Sequence, residues 1–566
     1  MSVLESEKHA QDDDPDGNLR ELGHVNCDPV RWSLAAGLSI LALGAFSLWS
    51  GPAPLAAPWD NFILLDGGYR MFLGQAPGTD FGNPIGPLVY GLVSWGMGMQ
   101  DVPSLAAVTY GNLVFLGVAA LLAWIVAWRR MRPPHALGFT VFVGLTVVAV
   151  RPLGYAPDLT SYAMLYNRYG WVLYATLLVL VLMTRGPDTR GAHGQGAVLG
   201  ILLGLSFYCK ISYFVVGVGA VVLGLCLGTL PRRLGLGVAA VGGFLAVGVT
   251  FWLAFGIDVT GYVGDIAASA GAQGGEQRLS MLANSIIHGL PATTFAVAVL
   301  AVLVVKARRQ HEPVRALVPV SIAAAYVLGS SVLVSAGNSA EGVDMPALVV
   351  VALLLHKAAR VVSVAPTTST GRTASLSRLS LLCLAGLLVV TAGPVAARDA
   401  VSLGNSAAQH ATVTDPPRDS RLAAPHLRDF VVPAHSTWQT AYRTANQVPD
   451  MLNDGFALLR RHVRPTDTVT TVALTNPFSF ALSLPPARGV PLWWDVDISF
   501  DDESHPAAER VFENARWVMI PRMAPGQGCC QETVRAMLDL YGSHLDAHYV
   551  EVERTDDWIL LTRSAR

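Results

Sequence analysis

Long apolar runs, broken by short polar turns, make up most of this chain. They lie near 33–51, 106–128, 137–150, 169–184, 196–209, 211–229, 234–255, 285–305, 314–334, 346–356 and 379–396. A helix needs about 20 mostly apolar residues to cross a bilayer core. Several runs are shorter, so their flanking residues must join the span. The pattern predicts a polytopic α-helical membrane protein of about eleven spans. One further run, "GPLVYGLVSWGMGM" at 86–99, is too short to cross. It is expected to be a re-entrant or surface helix, because counting it as a span would invert the charge of every later connection. From residue 398 onward the pattern turns polar. There "DTVTTVAL" (467–474) and "RWVMIP" (516–521) read as buried strands, "QETVRAMLDLYG" (531–542) as an amphipathic helix, and "AHYVEVERTDDWILLTR" (547–563) as a hairpin turning at Thr555–Asp557.

Charge orients the bundle. One alternating set of connections carries Arg129, Arg130, Arg132, Arg185, Arg190, Arg232, Arg233, Lys306, Arg308, Arg309, Arg315, Lys357, Arg360, Arg372 and Arg378. The other set carries only Arg70, Arg151, Arg168, Lys210 and Arg278. Basic loops favour the cytoplasm, so the expected topology is N-in/C-out. The expected organisation is an acidic, disordered cytoplasmic tail (1–31), a transmembrane domain (32–397) with its first outer loop at 52–105, and an extracytoplasmic α/β domain (398–566). "SVAPTTSTGRTASLSR" reads as a flexible cytoplasmic linker.

Composition agrees. The chain is 566 residues long, 52% hydrophobic and 14% charged, against about 25% charged in soluble domains. A net charge of −2 speaks against nucleic-acid binding, which needs a basic face. The six cysteines form no CxxC pair, so no zinc or redox motif is present. Cys529 and Cys530 allow either a vicinal disulfide or two free thiols.

The first outer loop, "PWDNFILLDGGYRMFLGQAPGTDFGNPIGP" (58–87), holds the densest chemistry. On a helix from Asp60 to Leu73, residues Phe62, Leu65, Tyr69, Phe72 and Leu73 share one stripe. This predicts an amphipathic helix in the membrane interface with Trp59 at headgroup level. Asp60 faces away from the stripe, toward protein or water. Asp66 and Arg70 are spaced for an i, i+4 pair. Asp80 sits in a glycine- and proline-rich turn. Each also has a plain structural reading: a helix N-cap for Asp60, an Asx-turn for Asp80, and a surface ion pair for Asp66.

These residues resemble the GT-C glycosyltransferases, in particular the bacterial group related to protein O-mannosyltransferases and the lipid A aminoarabinose transferase. The resemblance is carried by Asp60, "GQAP" from Gly74, "TDF" from Thr79, Pro84 and "GP" at Gly86. "YNRYGW" (166–171), "GLSFYCKISYF" (204–214) and "GNSAEGVDMP" (337–346) add to it. Members often carry a second acidic residue directly after the first; here Asn61 stands in that place, and nothing in the loop indicates a divalent metal.

The resemblance implies a multi-pass enzyme of the bacterial inner membrane. It would move a sugar from a polyprenyl-phosphate donor to a hydroxyl on an envelope glycan, lipid or protein, usually with inversion and without a certain cofactor. Asp60 is then expected as general base, with Asp80 second or orienting the acceptor. Arg168 and Lys210, with Tyr166 and Asn167 beside them, are expected at the donor phosphate, although snorkelling at a helix end would equally explain both cations. Asp66, Glu341 and Asp344 are weaker candidates for sugar contacts, and Trp493–Trp494 could stack on a sugar face or pack against the membrane domain. A lipid or glycan transporter or flippase without transfer chemistry is the main alternative, and a non-catalytic scaffold a further one. Transporters usually keep ionisable residues at mid-membrane, whereas here acids and bases collect in the outer loops.

Overall fold

The computed structural model describes residues 28–51, 57–183, 192–272, 275–309, 314–336, 344–361, 385–412, 421–432, 448–523 and 530–564. The acidic tail up to residue 27, the linker, Glu341 and Cys529 lie outside the described residues.

Each predicted apolar run falls on a helix. In chain order these are α1 (Pro29–Trp49), α4 (Ala106–Trp128), α5 (Pro133–Val148), α6 (Leu165–Leu182), α7 (Ala192–Cys209), α8 (Ile211–Cys226), α9 (Leu234–Phe255), α11 (Gly275–Arg309), α12 (Val318–Ser335), α13 (Val349–Val361) and the pair α14 (Ala385–Thr391) and α15 (Gly393–Thr412). Between them lie α2 (Pro58–Phe72), α3 (Leu88–Gly98) and α10 (Val259–Ala272). Seven described helices, α1, α4, α6, α7, α9, α11 and α12, are long and apolar enough to cross a membrane. An eighth span results if α14 and α15, bent by 53°, count as one. The remaining apolar helices are shorter than a span normally needs.

Burial sorts them. In α6, 94% of the apolar window is buried, against 11% in α9 and 17% in α1. The helix that opens with "YNRYGW" is therefore the axis of the bundle. Helices α7 and α9 approach closely because Gly196, Gly200 and Gly204 line one face of α7. A Cβ on Gly200 would lie 1.9 Å from the Ala240 carbonyl oxygen, a contact only glycine permits. Where lipid gives no hydrophobic drive, such small-residue faces supply the packing.

Helix α3 is the short run at 86–99. Its 11 residues reach about 16 Å, half a bilayer core. It is buried on nearly every side: a Cβ on Gly96 would meet the Ala107 oxygen at 2.0 Å and one on Gly111 the Leu92 oxygen at 2.4 Å. Helix α2 begins earlier than the sequence suggested, with Pro58 at its first turn and Ala57 as N-cap, a favoured place for proline.

The interfacial reading of α2 needs correcting. Trp59 is 1% exposed, and Phe62, Leu65 and Tyr69 are buried; only Phe72 and Leu73 reach the surface. Phe62 stacks on Phe430 at 5.0 Å and Tyr69 meets Phe480 edge-on at 5.6 Å. The apolar stripe packs against the carboxy-terminal part of the chain, which covers it more completely than a headgroup layer could.

That part holds α16 (Val448–His462), α17 (Phe478–Leu482), α18 (Ala508–Phe512) and α19 (Gln531–His548) around a four-stranded sheet. Strands β1 (Val469–Thr471), β2 (Trp517–Pro521), β3 (Tyr549–Arg554) and β4 (Trp558–Arg563) lie in the order β1-β2-β4-β3. β1 and β2 are parallel; β4 runs antiparallel to β2 and β3. The expected hairpin forms, its turn closed by the Thr555 amide on the Trp558 carbonyl at 2.9 Å. Trp558 anchors it from inside, its Nε1 donating to Met451 O at 2.7 Å.

Gly200→Leu should lower the thermal stability of the detergent-solubilised protein by about 1–3 kcal/mol through overpacking. Gly237→Leu on α9, with no atom near its Cβ position, should change it little; equal melting of both variants would refute the packing role given to Gly200.

Candidate functional site

Three of the carboxylates picked out by the sequence have committed partners. Asp66 is buried and pairs with Arg70 Nε at 2.8 Å; Arg70 Nη1 also donates to Gln75 Oε1 at 3.2 Å and Ala487 O at 2.7 Å. Gln75 Nε2 donates to Pro486 O at 2.8 Å. The pair read from i, i+4 spacing exists, but it is a buried clamp that fastens α2 to loop 486–487. Asp80 accepts from the Ala76 amide at 2.9 Å and pairs with Arg488 at 3.2 Å, holding its own turn in shape. Asp344 lies in a second charged cluster with Arg151 at 2.7 Å, Arg398 at 2.9 Å and the Gly154 amide at 3.1 Å. Arg151 reaches on to Asp399 at 2.9 Å.

Asp60 is different. It is half-buried on the first turn of α2, and among the described residues no side chain bonds to its carboxylate. Burial raises its pKa to about 6, opposed by its own backbone amide. Its electrostatic neighbours are Tyr90 of α3, Tyr166 of α6 and Asp495. Tyr166 is the link to the expected phosphate group: Lys210 Nζ sits over its ring at 5.2 Å and contacts Asn167 Oδ1 at 3.4 Å. Backbone contacts hold these elements in place. Cys209 Sγ bonds to Tyr166 O at 3.2 Å, Tyr213 donates to Asn167 O at 3.1 Å, and Gly86 lies flat on the Tyr208 carbonyl. Asp60, Tyr166, Asn167 and Lys210 are thus gathered at one end of the bundle.

Arg168 points elsewhere. It is fully buried, and among the described residues none of its three guanidinium nitrogens has a hydrogen-bond partner. Its electrostatic neighbours are Asp399, Arg151, Tyr169 and Tyr162, so it faces the Asp344 cluster rather than Asp60. Successive helix residues stand about 100° apart, which separates Arg168 from Tyr166 across α6.

Sequence reading missed Asp495. It follows Trp493–Trp494, and the stretch before it lies along the loop between α2 and α3: the Gly489 amide donates to Asp80 O at 2.6 Å and the Leu492 amide to Gly82 O at 2.9 Å. The Asp495 carboxylate is half-buried with no bonded partner among the described residues. Burial first, then the charges of Asp60 and Asp497, raise its pKa to about 7. No local motif flags it; its value comes from a fold contact more than 400 positions away in the chain. Trp494 does not line this site. It is 2% exposed and packs edge-on to Phe500 and Tyr541.

Backbone strain gathers here. Ala57 before α2, Met164 before α6 and Asp497 all have positive φ, at 49°, 52° and 64°. Left-handed non-glycine residues cluster at functional sites, where surrounding packing sustains them. Asn61 supports the same corner as an amide. Its Nδ2 donates to Ala57 O at 2.9 Å and Ser161 Oγ at 3.3 Å, and its Oδ1 accepts from the Tyr162 amide at 3.2 Å. A carboxylate could not donate to the Ala57 carbonyl, which gives a structural reason for asparagine here. Among the described residues no group of three or more His, Cys, Asp or Glu could hold a metal ion. Cys209 and Cys226 are free, and Cys530 is disulfide-bonded.

No protein-family model matches the sequence, and no curated protein matches it. Among solved structures, the chain is similar to the crystal structure of ArnT from Cupriavidus metallidurans bound to undecaprenyl phosphate. The two are 13% identical, with 95% of this chain and 98% of that chain covered and a TM-score of 0.44.

Replacing Asn61 with Asp should cost about 1–3 kcal/mol, since it sets a buried carboxylate against a carbonyl; unchanged thermal stability would contradict the bonding above. Raised pKa values mean that folded Asp60 and Asp495 hold protons the unfolded chain has released. Their contribution to stability is therefore full below about pH 4 and is lost as pH rises through about 6 and 7. In Asp60→Asn/Asp495→Asn, melting temperatures between pH 4.5 and 8 should show a shallower decline than in the parent.

Proposed function

We propose that this chain is a membrane glycosyltransferase of the GT-C kind, transferring a sugar from a polyprenyl phosphate to a hydroxyl acceptor at the Asp60 end of the bundle. One observation carries the reading: Asp66, Asp80 and Asp344 are tied to cations or amides, while Asp60 keeps an uncommitted carboxylate beside Tyr166, Lys210 and Asp495. The sequence motifs around Asp60, Asp80 and Gly86 point the same way.

In this proposal Asp60 is the base. With a pKa near 6 it is mainly ionised at neutral pH yet still a competent proton acceptor. The acceptor oxygen attacks the sugar's anomeric carbon and its proton passes to Asp60. The bond from that carbon to the phosphate oxygen breaks, and its electron pair leaves with the lipid phosphate. Lys210, held by Tyr166 and Asn167, supplies positive charge where the phosphate charge grows. Asp495, ionising after Asp60 within a coupled pair, is the protonated partner that can donate a hydrogen bond to the substrate. Asp66 and Asp80 build the scaffold; Asp344 belongs to the Arg151 cluster.

Asp60→Asn should reduce transfer by about 10²–10⁴-fold with expression intact, and Lys210→Met should lower kcat while leaving the pH limb in place. In the parent, kcat should rise with pH through about 6 and fall again above about 7 as Asp495 loses its proton. Mass spectrometry of envelope glycans from a deletion strain and its complemented parent would identify donor and acceptor class. Full activity of Asp60→Asn would remove the base role. A transporter reading draws on one observation, the fully buried, unpaired Arg168 on a candidate span. It predicts lipid movement across proteoliposomes that survives Asp60→Asn and fails in Arg168→Met.

A further inference from the structure

Two polar groups near Asp60 take no part in the chemistry proposed above. Tyr90 of α3 is 1% exposed, and its hydroxyl has no hydrogen-bond partner among the described residues. The indole Nε1 of Trp493 likewise has none, while the rest of that side chain is half-buried. Buried donors in folded proteins are nearly always paired. Here two unpaired ones accompany two uncommitted carboxylates, Asp60 and Asp495.

The fold brings them together. Residues seven apart on a helix share a face to within about 20°, so Gly67 lies on the Asp60 face of α2, two turns further on. The Tyr90 ring and Leu492 both lie over Gly67: a Cβ there would come within 2.4 Å of Tyr90 and 2.9 Å of Leu492. Tyr90 also has Asp60 and Tyr166 among its electrostatic neighbours. Leu492 leads into Trp493, Trp494 and Asp495, where burial alternates. Leu492 and Trp494 are buried; Trp493 and Asp495 are half-buried. That period of two sets Trp493 and Asp495 on one face of the segment, and Asp495 interacts with Asp60.

Asp60 thus has two flanks. Tyr166 of α6 and Lys210, at the start of α8, form one; the leaving phosphate was assigned there. Trp493 and Asp495, from the carboxy-terminal part, form the other. When a hydroxyl displaces a leaving group directly at an anomeric carbon, the two stand on opposite faces of the sugar. The Trp493 flank is therefore the acceptor's side. Its chemistry is specific. An aromatic side chain offers a large, rigid, apolar contact with a polar edge, and Tyr90 and Asp495 add separate hydrogen-bonding groups. A lone serine or a simple lipid alcohol brings one hydroxyl to such a surface. A sugar brings an apolar C–H face and several hydroxyls at once.

We propose that the acceptor is itself a carbohydrate, its ring laid on Trp493 and its hydroxyls met by Tyr90 and Asp495, so that the transferred sugar extends or decorates a glycan. This rests on the glycosyltransferase reading above. The accepting hydroxyl oxygen bonds the anomeric carbon, its proton passes to Asp60, and the bond to the lipid phosphate breaks.

The test begins with permethylation linkage analysis of envelope glycans from a deletion strain and its complemented parent. The sugar lost on deletion should be one attached to another sugar, seen as a substituted position that reverts to a free hydroxyl. A lost sugar attached to protein or lipid would overturn this inference and leave the glycosyltransferase reading standing; no lost sugar would end both. The methyl glycoside of the substituted sugar is then supplied to membranes of the complemented parent, which hold the native donor, and the methyl disaccharide is measured by mass spectrometry. Trp493→Ala should raise KM for this glycoside about tenfold or more while kcat changes less than about threefold, the mark of lost binding common to ground and transition states. Trp493→Phe, which keeps a ring face, should restore most of it. An unchanged KM in Trp493→Ala, or a loss of kcat alone, would overturn the proposal. The linkage analysis uses the unmodified protein and decides the acceptor class even if a variant folds poorly.

Discussion

One buried guanidinium holds the Asp60 end of the molecule together. Arg70 joins Asp66 on its own helix to Gln75 and to the Ala487 carbonyl of the carboxy-terminal part. Burying two charges costs several kcal/mol, which only close pairing and further hydrogen bonds offset. This clamp meets that requirement because Arg70 spends its donors on three acceptors in a dry setting. With α2 and loop 486–487 locked, the chain from Gly489 to Asp495 must run along the loop between α2 and α3, and Asp495 is brought to Asp60.

The same constraint explains how two half-buried acids persist without cations. Asp60 and Asp495 belong to different regions, each rigid for its own reasons: α2 is covered by Phe430 and Phe480, and Trp494 is locked among Phe500 and Tyr541. Their shared cost appears as raised pKa values, which bring both acids close to neutral pH, where proton transfer is most effective. Nearby carboxylates are paired with Arg70, Arg488, Arg151 and Arg398, whereas Asp60 and Asp495 have no such cation among the described residues.

The bundle has two charged ends with different logic. At the Asp60 end few cations are present and each has a defined neighbour. At the other end Arg129, Arg130, Arg132 and Lys357 converge on an open cavity. Between them α6 is almost wholly buried and carries Arg168, whose unpaired guanidinium faces Asp399 and Arg151. Desolvation without hydrogen bonds is costly, which makes Arg168 the least satisfied group described in the interior.

The sequence by itself determined the helices, the short run at 86–99, the strands at Val469 and Trp517, the hairpin around Thr555–Asp557 and the Asp66–Arg70 spacing. Those features are local: hydrophobic period, run length and turn residues fix them before any long-range contact forms. It also offered Asp60, Asp66 and Asp80 together in one aromatic, glycine-rich loop, and only the resemblance of that loop to a known family put Asp60 first among them. Tertiary structure alone decided the rest. It turned the stripe of α2 from the membrane surface into a protein interface, since periodicity says that a face is buried but not by what. It turned Arg168 away from Tyr166, since helical geometry separates neighbours in sequence. It brought Asp495 to Asp60 across most of the chain, a meeting that no local pattern encodes.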